Sequence, residues 1–440
     1  MTPDFLRRAT ALWFGALACA APAFAQSDTT PAPSPLGGDT LRLNGFGTIA
    51  GFTTDESDPW GYRREITQRA YHDDGVRFDA DSRLGLQANW RPLTQVEVVG
   101  QLVLKSQPAQ ARAGDAIAWG FAAWHPDADW TVRVGRTSPD LFLLSDVRNV
   151  GFAYPWVRPN TEFYSWVPIQ NVNGIDVSRT GEALGGRWTA KAFLGKTFAT
   201  LGSSHDDGDS QGYVRPIGGG TFTFERDGLT LKASYANAHT HTLDPNALVQ
   251  LRGALDQIAQ IPVPGVAEDA IALRDSIPGG TFLTRYMALG AAWDHGPWVA
   301  QVEGSRITGN FMTSNAWYGY GSLGYRIGSA TVYGMAGRAH SAKSRLPQPQ
   351  WGTELAPFIG PVMAAQAQAL ADRVSADSNL YRENQHSLSA GTRYDLGPQL
   401  ALKVQVDRIT SAAFGGGLWA YGDYAAHQAT VYSAGLDFVF

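Results

Sequence analysis

Sixteen segments between Leu41 and Phe440 alternate apolar with polar or small side chains, and the connections between them alternate short with long. Side chains on a strand alternate between its two faces, so each segment predicts a strand with one apolar and one polar face. The long connections are residues 54–77, 106–115, 138–172, 199–212, 240–280, 309–313, 341–385 and 411–428. Consecutive strands joined this way predict an all-β, antiparallel, up-and-down barrel of about sixteen strands, with every long connection at the same end.

The polar face of these strands is strongly charged. In the segment Leu400–Thr410, Leu402 and Val404 alternate with Lys403 and Gln405, and other segments show the same pattern. So many charges would be too costly in a dry core, whereas a sixteen-stranded barrel encloses water. The apolar face is therefore predicted to face lipid and the charged face to line an aqueous lumen.

The beginning of the chain predicts export from the cytoplasm. Arg7 and Arg8 precede an apolar run that ends in a small-residue cleavage site, which predicts a signal peptide over residues 1–25. Cys19 leaves open a lipid-attachment site instead. Residues 26–40 contain three prolines and predict a flexible periplasmic leader. Cleavage changes the formal charge from −5 to −6, and this mild acidity argues against a nucleic-acid partner.

Two stretches resemble known families. The closing strand ends on Phe438 and Phe440, similar to bacterial outer-membrane barrels, in which the terminal aromatic is part of the assembly signal. The stretch 145–159 resembles one in a poorly characterised group of proteobacterial porin-like proteins, and the strand pattern resembles sixteen-stranded porins. The resemblance implies a Gram-negative outer-membrane location with both termini periplasmic. It also implies these partners: outer-membrane lipid and lipopolysaccharide, the barrel-assembly machinery, and two further copies of the chain in a homotrimer.

The connection 138–172 is third in order among the long ones. In general porins the third external loop folds into the barrel and narrows it, although this chain lacks the Pro-Glu-Phe-Gly-Gly segment of enterobacterial members. The resemblance implies a pore constriction formed by Asp140, Asp146, Arg148, Arg158 and Glu162. The opposing basic wall is expected at Arg42, Arg83, Arg338, Arg393 and Lys403, with Arg83 and Arg338 facing the loop's carboxylates. A loop lying over the mouth, or on a neighbouring protomer, is the alternative.

These observations predict a porin that passively conducts small hydrophilic solutes and ions. A substrate-selective channel of the same fold, for carboxylates or other anions, is the alternative. No nucleophile motif, phosphate-cradling loop or convincing metal-ligand spacing is present, so neither an enzyme nor a metal or cofactor is expected. Helical character in 248–261 and 361–374 leaves open whether these loops cover the mouth or contact a neighbouring protomer.

Inward positions carry nearly equal numbers of the two charge signs, which predicts weak ion selectivity. The basic side chains assigned inward are Arg42, Arg83, Lys105, Arg133, Lys191, Lys232, Arg285, Arg326, Arg338, Arg393 and Lys403. The acidic ones are Asp79, Asp81, Glu97, Asp176, Glu225, Glu303, Asp395, Asp407 and Asp437.

Overall fold

The structure is a computed structural model of the 440-residue chain. It describes residues 40–55, 61–68, 75–106, 113–201, 210–242, 245–277, 280–309, 315–342, 345–380, 382–416, 419 and 425–440. The predicted signal peptide, and the predicted leader apart from Thr40, lie outside the described residues.

Sixteen strands form one closed barrel. They are β1 Leu41–Thr54, β2 Arg83–Leu93, β3 Val96–Lys105, β4 Ile117–Trp124, β5 Trp130–Thr137, β6 Val172–Ala183, β7 Gly186–Leu201, β8 Ser210–Arg226, β9 Leu229–Thr242, β10 Thr281–His295, β11 Trp298–Gly309, β12 Ala316–Ile327, β13 Ala330–Ser341, β14 Glu383–Gly397, β15 Leu400–Gly416 and β16 His427–Val439. Each strand pairs antiparallel with its sequence neighbours, and β1 pairs with β16 to close the ring. The predicted all-β, up-and-down barrel of sixteen strands is confirmed.

The two faces of the strands differ as the alternation predicts. On β15, Leu402 and Val404 are exposed on the outer face, whereas Lys403 and Gln405 are 1% and 2% exposed on the inner face. Exposed apolar side chains continue around the outside of the barrel, for example Leu86 on β2 and Leu388 on β14. The barrel therefore has an apolar outer surface and a polar inner one.

Helices occupy the connections. They are α1 Thr161–Tyr164, α2 Pro245–Ile258, α3 Val266–Ser276, α4 Trp351–Glu354, α5 Ala356–Ile359 and α6 Pro361–Leu380, with 3-10 turns at Ala113–Ala116 and Gly151–Ala153. The helices α2–α6 share one apolar core around Trp351, Leu355 and Ala364, all 0% exposed, and we call them the helical lobe. None of the helices in the described part of the chain is long and apolar enough to span a membrane.

Aromatic side chains cover the closure between β1 and β16. Phe440 exchanges backbone hydrogen bonds of 2.8 and 2.9 Å with Gly45, and its ring lies over that glycine. A Cβ at Gly45 would lie 2.1 Å from the Phe440 ring, and one at Gly47 would lie 2.3 Å from the Phe438 ring. Both aromatic rings therefore require glycine beneath them on the outer face of β1.

Candidate functional site: a segment held inside the barrel

Residues 138–171, which connect β5 to β6 and which we call the inner segment, cross the interior of the ring. The ammonium group of Lys403 on β15 donates hydrogen bonds to the backbone carbonyls of Gly151 (2.6 Å), Tyr154 (2.6 Å) and Trp156 (3.0 Å). Because β15 lies far round the ring from β5, these contacts place the segment against the opposite inner wall.

A buried charge cluster fixes the middle of the inner segment. The guanidinium of Arg158, 1% exposed, donates to Asp81 at 2.7 and 3.0 Å and to Asp407 at 3.0 Å. It also donates to the hydroxyl of Ser433 at 2.6 Å. Arg64 adds a second cation 3.5 Å from Asp81, so two arginines meet two aspartates. Burial opposes ionisation of Asp81, but the charges of Arg158 and Arg64 outweigh it and lower the pKa of Asp81.

On the other side, the inner segment binds a buried glutamate of β11. Glu303, 3% exposed, accepts hydrogen bonds from the backbone N–H of Leu143 (2.9 Å), from the Tyr320 hydroxyl (2.8 Å) and from the Tyr164 hydroxyl. Around this carboxylate lies an aromatic core formed by Phe142, Tyr154, Trp156, Phe163 and Tyr164 of the segment with Tyr286, Tyr318, Tyr320 and Tyr333 of the wall. This side of the lumen is filled with packed side chains.

Glu162 lies within the packing, bound by neutral groups. It is 0% exposed and accepts from Gln385 (2.7 Å), Ser387 (2.6 Å) and Asn160 (2.9 Å). Asn160 also caps α1 by accepting from the backbone N–H of Phe163 at 3.1 Å. The expected position of Glu162 opposite an arginine wall is therefore not what the structure shows.

A second connection reinforces the inner segment. The backbone N–H of Ile66 donates to the carbonyl of Ser165 at 3.1 Å, and the neighbouring Glu65 forms ion pairs with Lys105 (3.2 Å) and Arg148 (3.5 Å). Burial opposes ionisation of Glu65, but these cations and Arg64 lower its pKa. Residues 61–68 belong to the first long connection, and their sequence pattern did not predict this role.

Charged side chains pair with one another on the β5–β9 side of the lumen. Asp140 pairs with Lys232 and, at 3.7 Å, with Lys191, while Arg133 pairs with Asp176 at 2.8 Å. Burial opposes ionisation of Asp140, but the two lysines lower its pKa. Asp146 of the inner segment is exposed, and its carboxylate lies in the field of Asp140, Lys191, Lys232 and Arg133. We call Arg133, Asp140, Asp146, Lys191 and Lys232 the charged passage.

The five residues of the expected basic wall have different surroundings. Arg83 donates to the carbonyl of Asn149 (2.7 Å) and to the Tyr154 hydroxyl (2.6 Å), and Arg393 donates to the carbonyls of Phe152 (2.5 Å) and Tyr154 (3.3 Å). Like Lys403, they bind the segment through its uncharged backbone and tyrosine groups, and Lys403 is also paired with Asp437 at 2.7 Å. Arg42 faces inward near the short-turn end of β1.

Arg338 is on the opposite face from the expected one. Arg338 is exposed on the outer face of β13, together with Val332, Gly334 and Ala336. Arg285 is likewise on the outer face of its strand, β10. The inward set of β13 contains Tyr333 and Met335, which pack in the aromatic core. Both sets of β13 are largely apolar or small, so alternation alone did not identify the inner face.

Sequence reasoning predicted the inward orientation of Asp81, Asp407, Glu303, Lys191 and Lys232, but not the groups that they bind. The pairing depends on the path of the inner segment across the lumen, which no periodic signal encodes. In the described part of the chain, no three His, Cys, Asp or Glu side chains converge as metal ligands would.

No family model and no curated protein matches the sequence. Among solved structures, the fold is similar to an anion-selective porin from Comamonas acidovorans, with 12% identity, coverage of 91% of this chain and 99% of that one, and a TM-score of 0.47. It is also similar to the outer-membrane channel DcaP of Acinetobacter baumannii (12% identity, 93% and 100% coverage, TM-score 0.47). A third similar structure is Pseudomonas putida OprB (10% identity, 91% and 94% coverage, TM-score 0.49). At these values the similarities assign no solute and no assembly to this chain, whose own sixteen-stranded closed barrel gives it a porin-like fold.

Proposed function

We propose that the protein is an outer-membrane channel of the porin type through which small hydrophilic solutes and ions diffuse passively. The observation that carries the proposal is the combination of an apolar outer surface with an inner face that keeps a water-exposed carboxylate, Asp146, among fixed cations. An apolar outside fits lipid, and a charged inside fits a water-filled passage.

Aromatic side chains at the short-turn end support the membrane location. Trp90, Trp130, Trp298 and Tyr394 are 38–49% exposed on the outer face near that end. Amphipathic rings of this kind favour the boundary between hydrocarbon and headgroups. In this orientation the short turns and both termini are periplasmic, and the long connections and the helical lobe are external.

The inner segment is proposed to be the constriction. It fills the β10–β16 side of the lumen and leaves the charged passage as the route for solutes. There, Asp140 and Asp146 face Arg133, Lys191 and Lys232. Opposed fixed charges create a transverse field that favours polar solutes and determines which ions enter.

A substrate-selective channel is the second candidate, and the aromatic core favours it. A lumen packed on one side by Phe142, Trp156, Phe163 and their wall partners leaves a narrow route. A narrow route lined by three cations and two carboxylates would discriminate among anions such as carboxylates more strongly than a wide pore does.

Single-channel recording in planar bilayers tests the proposal. We expect stable ionic current steps from the folded protein, with weak ion selectivity. Arg285 and Arg338 are on the outer face, so the numbers of inward-facing cations and carboxylates on the strands are closer to equal than predicted. Heat-denatured protein is the control. Folded, inserted protein without current steps would overturn the channel proposal, whereas block by low concentrations of one carboxylate would favour the selective channel.

We extend the resemblance to assembly as part of the same proposal. The chain is expected to form a homotrimer, to contact lipopolysaccharide and to be inserted by the barrel-assembly machinery through its terminal aromatics. The packing of Phe440 on Gly45 supports a role in closing the barrel. Removing Phe440 is expected to reduce the heat-modifiable, membrane-inserted protein severalfold, and an unchanged amount would contradict this role.

A further inference from the structure

Three alternate strands carry an outward-facing arginine at the same position. Arg306, Arg338 and Arg408 each lie eight residues after the first residue of β11, β13 and β15, respectively. The outward sets that lead to them are Trp298-Ala300-Val302-Gly304, Ala330-Val332-Gly334-Ala336 and Leu400-Leu402-Val404-Val406. Each set is apolar or glycine until the arginine. The position is therefore a boundary in the chemistry of the outer surface.

The strand register places these arginines at a similar height in the barrel. Arg338 on β13 pairs with Gly319 on β12, which in turn pairs with Gly304 on β11. Gly304 is therefore in line with Arg338, and Arg306 lies two residues nearer the long-connection end of β11. The starts of the two strands are offset by the same amount: Trp298, the first residue of β11, is in line through Tyr325 with Val332, the third residue of β13. Eight residues extend about 26 Å along a strand, or about 20 Å in height at a tilt of about 40°. That height is near the upper edge of an apolar band about 25 Å tall.

Two of the three arginines have no carboxylate partner among the described residues. Arg408 pairs with Asp55 at 3.3 Å and donates to Thr430 and Gln428, both at 2.8 Å. The guanidinium of Arg306 instead lies over the Trp317 ring at 4.6 Å, and its Nε is buried with no hydrogen-bond acceptor in the part of the chain that the structure describes. Arg338 is exposed with the exposed His386 directly opposite it on β14.

The surface between Arg306 and Arg338 is open. Their Cα atoms are about 12 Å apart, because two strand spacings and a two-residue shift separate them. Gly304 and Gly319 lie between them, and a Cβ added at either would come no closer than 3.4 Å to any neighbouring atom. A headgroup can therefore approach the sheet backbone between the two cations.

We propose that Arg306 and Arg338, with Trp317 beside them, bind the phosphate groups of an anionic lipid headgroup at the long-connection edge of the barrel. The inference rests on the proposed membrane location. An arginine facing hydrocarbon at the midplane costs about 2–4 kcal/mol, a penalty that falls toward zero at the interface. At the interface, the unmatched guanidinium groups meet the phosphates, and guanidinium binds phosphate through two parallel charge-assisted hydrogen bonds. The Trp317 ring, which prefers the same depth, holds Arg306 in place.

Lipid titration of the purified full-length protein in a neutral detergent tests the proposal. Phosphatidic acid and phosphatidylcholine are added in parallel, and bound lipid is counted by native mass spectrometry at low ionic strength. The wild type is expected to prefer phosphatidic acid. Arg306→Ser and Arg338→Ser are each expected to lower that preference about fivefold, and the double variant about 25-fold.

Arg326→Ser is the matched control, because Arg326 is at the short-turn end and already pairs with Asp294 at 2.6 Å. Its preference for phosphatidic acid is expected to equal that of the wild type. Equal binding of both lipids by the wild type, or an unchanged preference in the double variant, overturns the proposal. Inorganic phosphate is a further arm: if it displaces the lipid at equal phosphate concentration, the site takes phosphate from solution and the lipid assignment is wrong.

The same preparations are recorded in planar bilayers. Current steps together with no lipid preference would reject the lipid site while the channel proposal stands. Lipid preference without current steps would reject the channel alone. Heat-modifiability of each variant shows that the barrel is folded, so a loss of binding cannot be attributed to unfolding.

Discussion

The inner segment and the helical lobe are both built from long connections at the same end of the barrel, yet different interactions hold them. The inner segment is fixed to the wall by ions and hydrogen bonds, with Arg158 between two aspartates and Lys403 on three carbonyls. The helical lobe is fixed mainly to itself, through fully buried apolar residues such as Trp351 and Leu355. The difference follows from what each connection packs against.

A connection that enters a polar lumen must satisfy the polar groups that it covers. Buried charges are strongly destabilising when unpaired, so each cation of the wall needs a partner at a defined position. Buried ion pairs of this kind contribute less to the stability of the fold than to fixing the segment in one position. A connection outside the barrel can instead gain stability by burying its own apolar surface, at about 25 cal/mol per Å². The inner segment is therefore expected to have one fixed position, and the lobe to tolerate more change.

The largest effect is expected from shortening the inner segment. Replacing Asp146–Glu162 by a short Gly-Ser linker should raise single-channel conductance severalfold, because it removes from the lumen the backbone that Lys403 binds, together with Tyr154 and Trp156. The wall charges left behind, such as Lys403 and Asp407, would be hydrated by incoming water, so the barrel should stay folded. The measurement is conductance together with heat-modifiability.

The matched change in the helical lobe is replacement of residues 245–277 by a similar linker. It removes two helices outside the barrel and is expected to leave conductance within about twofold of the wild-type value. If shortening the inner segment leaves conductance unchanged while the lobe deletion raises it, the lobe controls flow and the assignment of the constriction is wrong.

A second, smaller effect is expected from Arg158→Met. It leaves Asp81 and Asp407 buried near each other with less positive charge, and loss of one partner from a buried ion pair typically costs about 3–5 kcal/mol. The inner segment should detach, which limited proteolysis within residues 138–171 would detect. Adding Asp81→Asn and Asp407→Asn removes the unpaired charges and should restore much of the protection. Equal protease resistance in Arg158→Met and wild type would show that the cluster does not hold the segment.

The sequence predicted the faces of most strands, but it did not predict the contacts of the inner segment. Alternation identified the faces of strands such as β15, because Lys403 and Gln405 face polar groups while Leu402 and Val404 are outside. It failed on β13, where Tyr333 and Met335 face inward because the aromatic core of the inner segment covers them. The partners of Arg158 could not be predicted, since they come from three connections or strands whose meeting depends on the folded path. Helices in the two late connections were expected, and they appear as α2 and α6.

A third effect, smaller again, is expected in the helical lobe. Leu355→Ala removes a side chain that is 0% exposed and should destabilise the lobe by about 3 kcal/mol, through lost burial and a cavity. Hydrogen exchange of helices α4–α6 should accelerate while conductance and the protection of the inner segment stay unchanged. The control is Val249→Ala, because Val249 is 62% exposed and its loss should change little. Coupled loosening of the inner segment would show that the two regions are not independent.

The smallest expected effect concerns the charge of Asp146. Asp146 contacts water in the lumen, but the protein around it partly desolvates its carboxylate, and this desolvation and the nearby Asp140 carboxylate raise the pKa of Asp146 above its ordinary value. A raised pKa means that the carboxylate takes up its proton sooner as the pH falls. Acidification from neutral pH should therefore remove one negative charge from the charged passage while Lys191, Lys232 and Arg133 keep theirs. Selectivity should shift toward anions.

One unit charge about 10 Å from a permeating ion in water contributes about 0.4 kcal/mol, so the permeability ratio should change about twofold. Asp146→Asn should show the low-pH selectivity already at pH 7 and lack the pH-dependent step, as measured by reversal potentials in a salt gradient. The matched control is Asp269→Asn in the helical lobe, where burial and the neighbouring Glu268 also raise the pKa of the aspartate. If Asp269→Asn shifts selectivity and Asp146→Asn does not, ions are selected at the lobe, and the charge in the inner segment lies off their route.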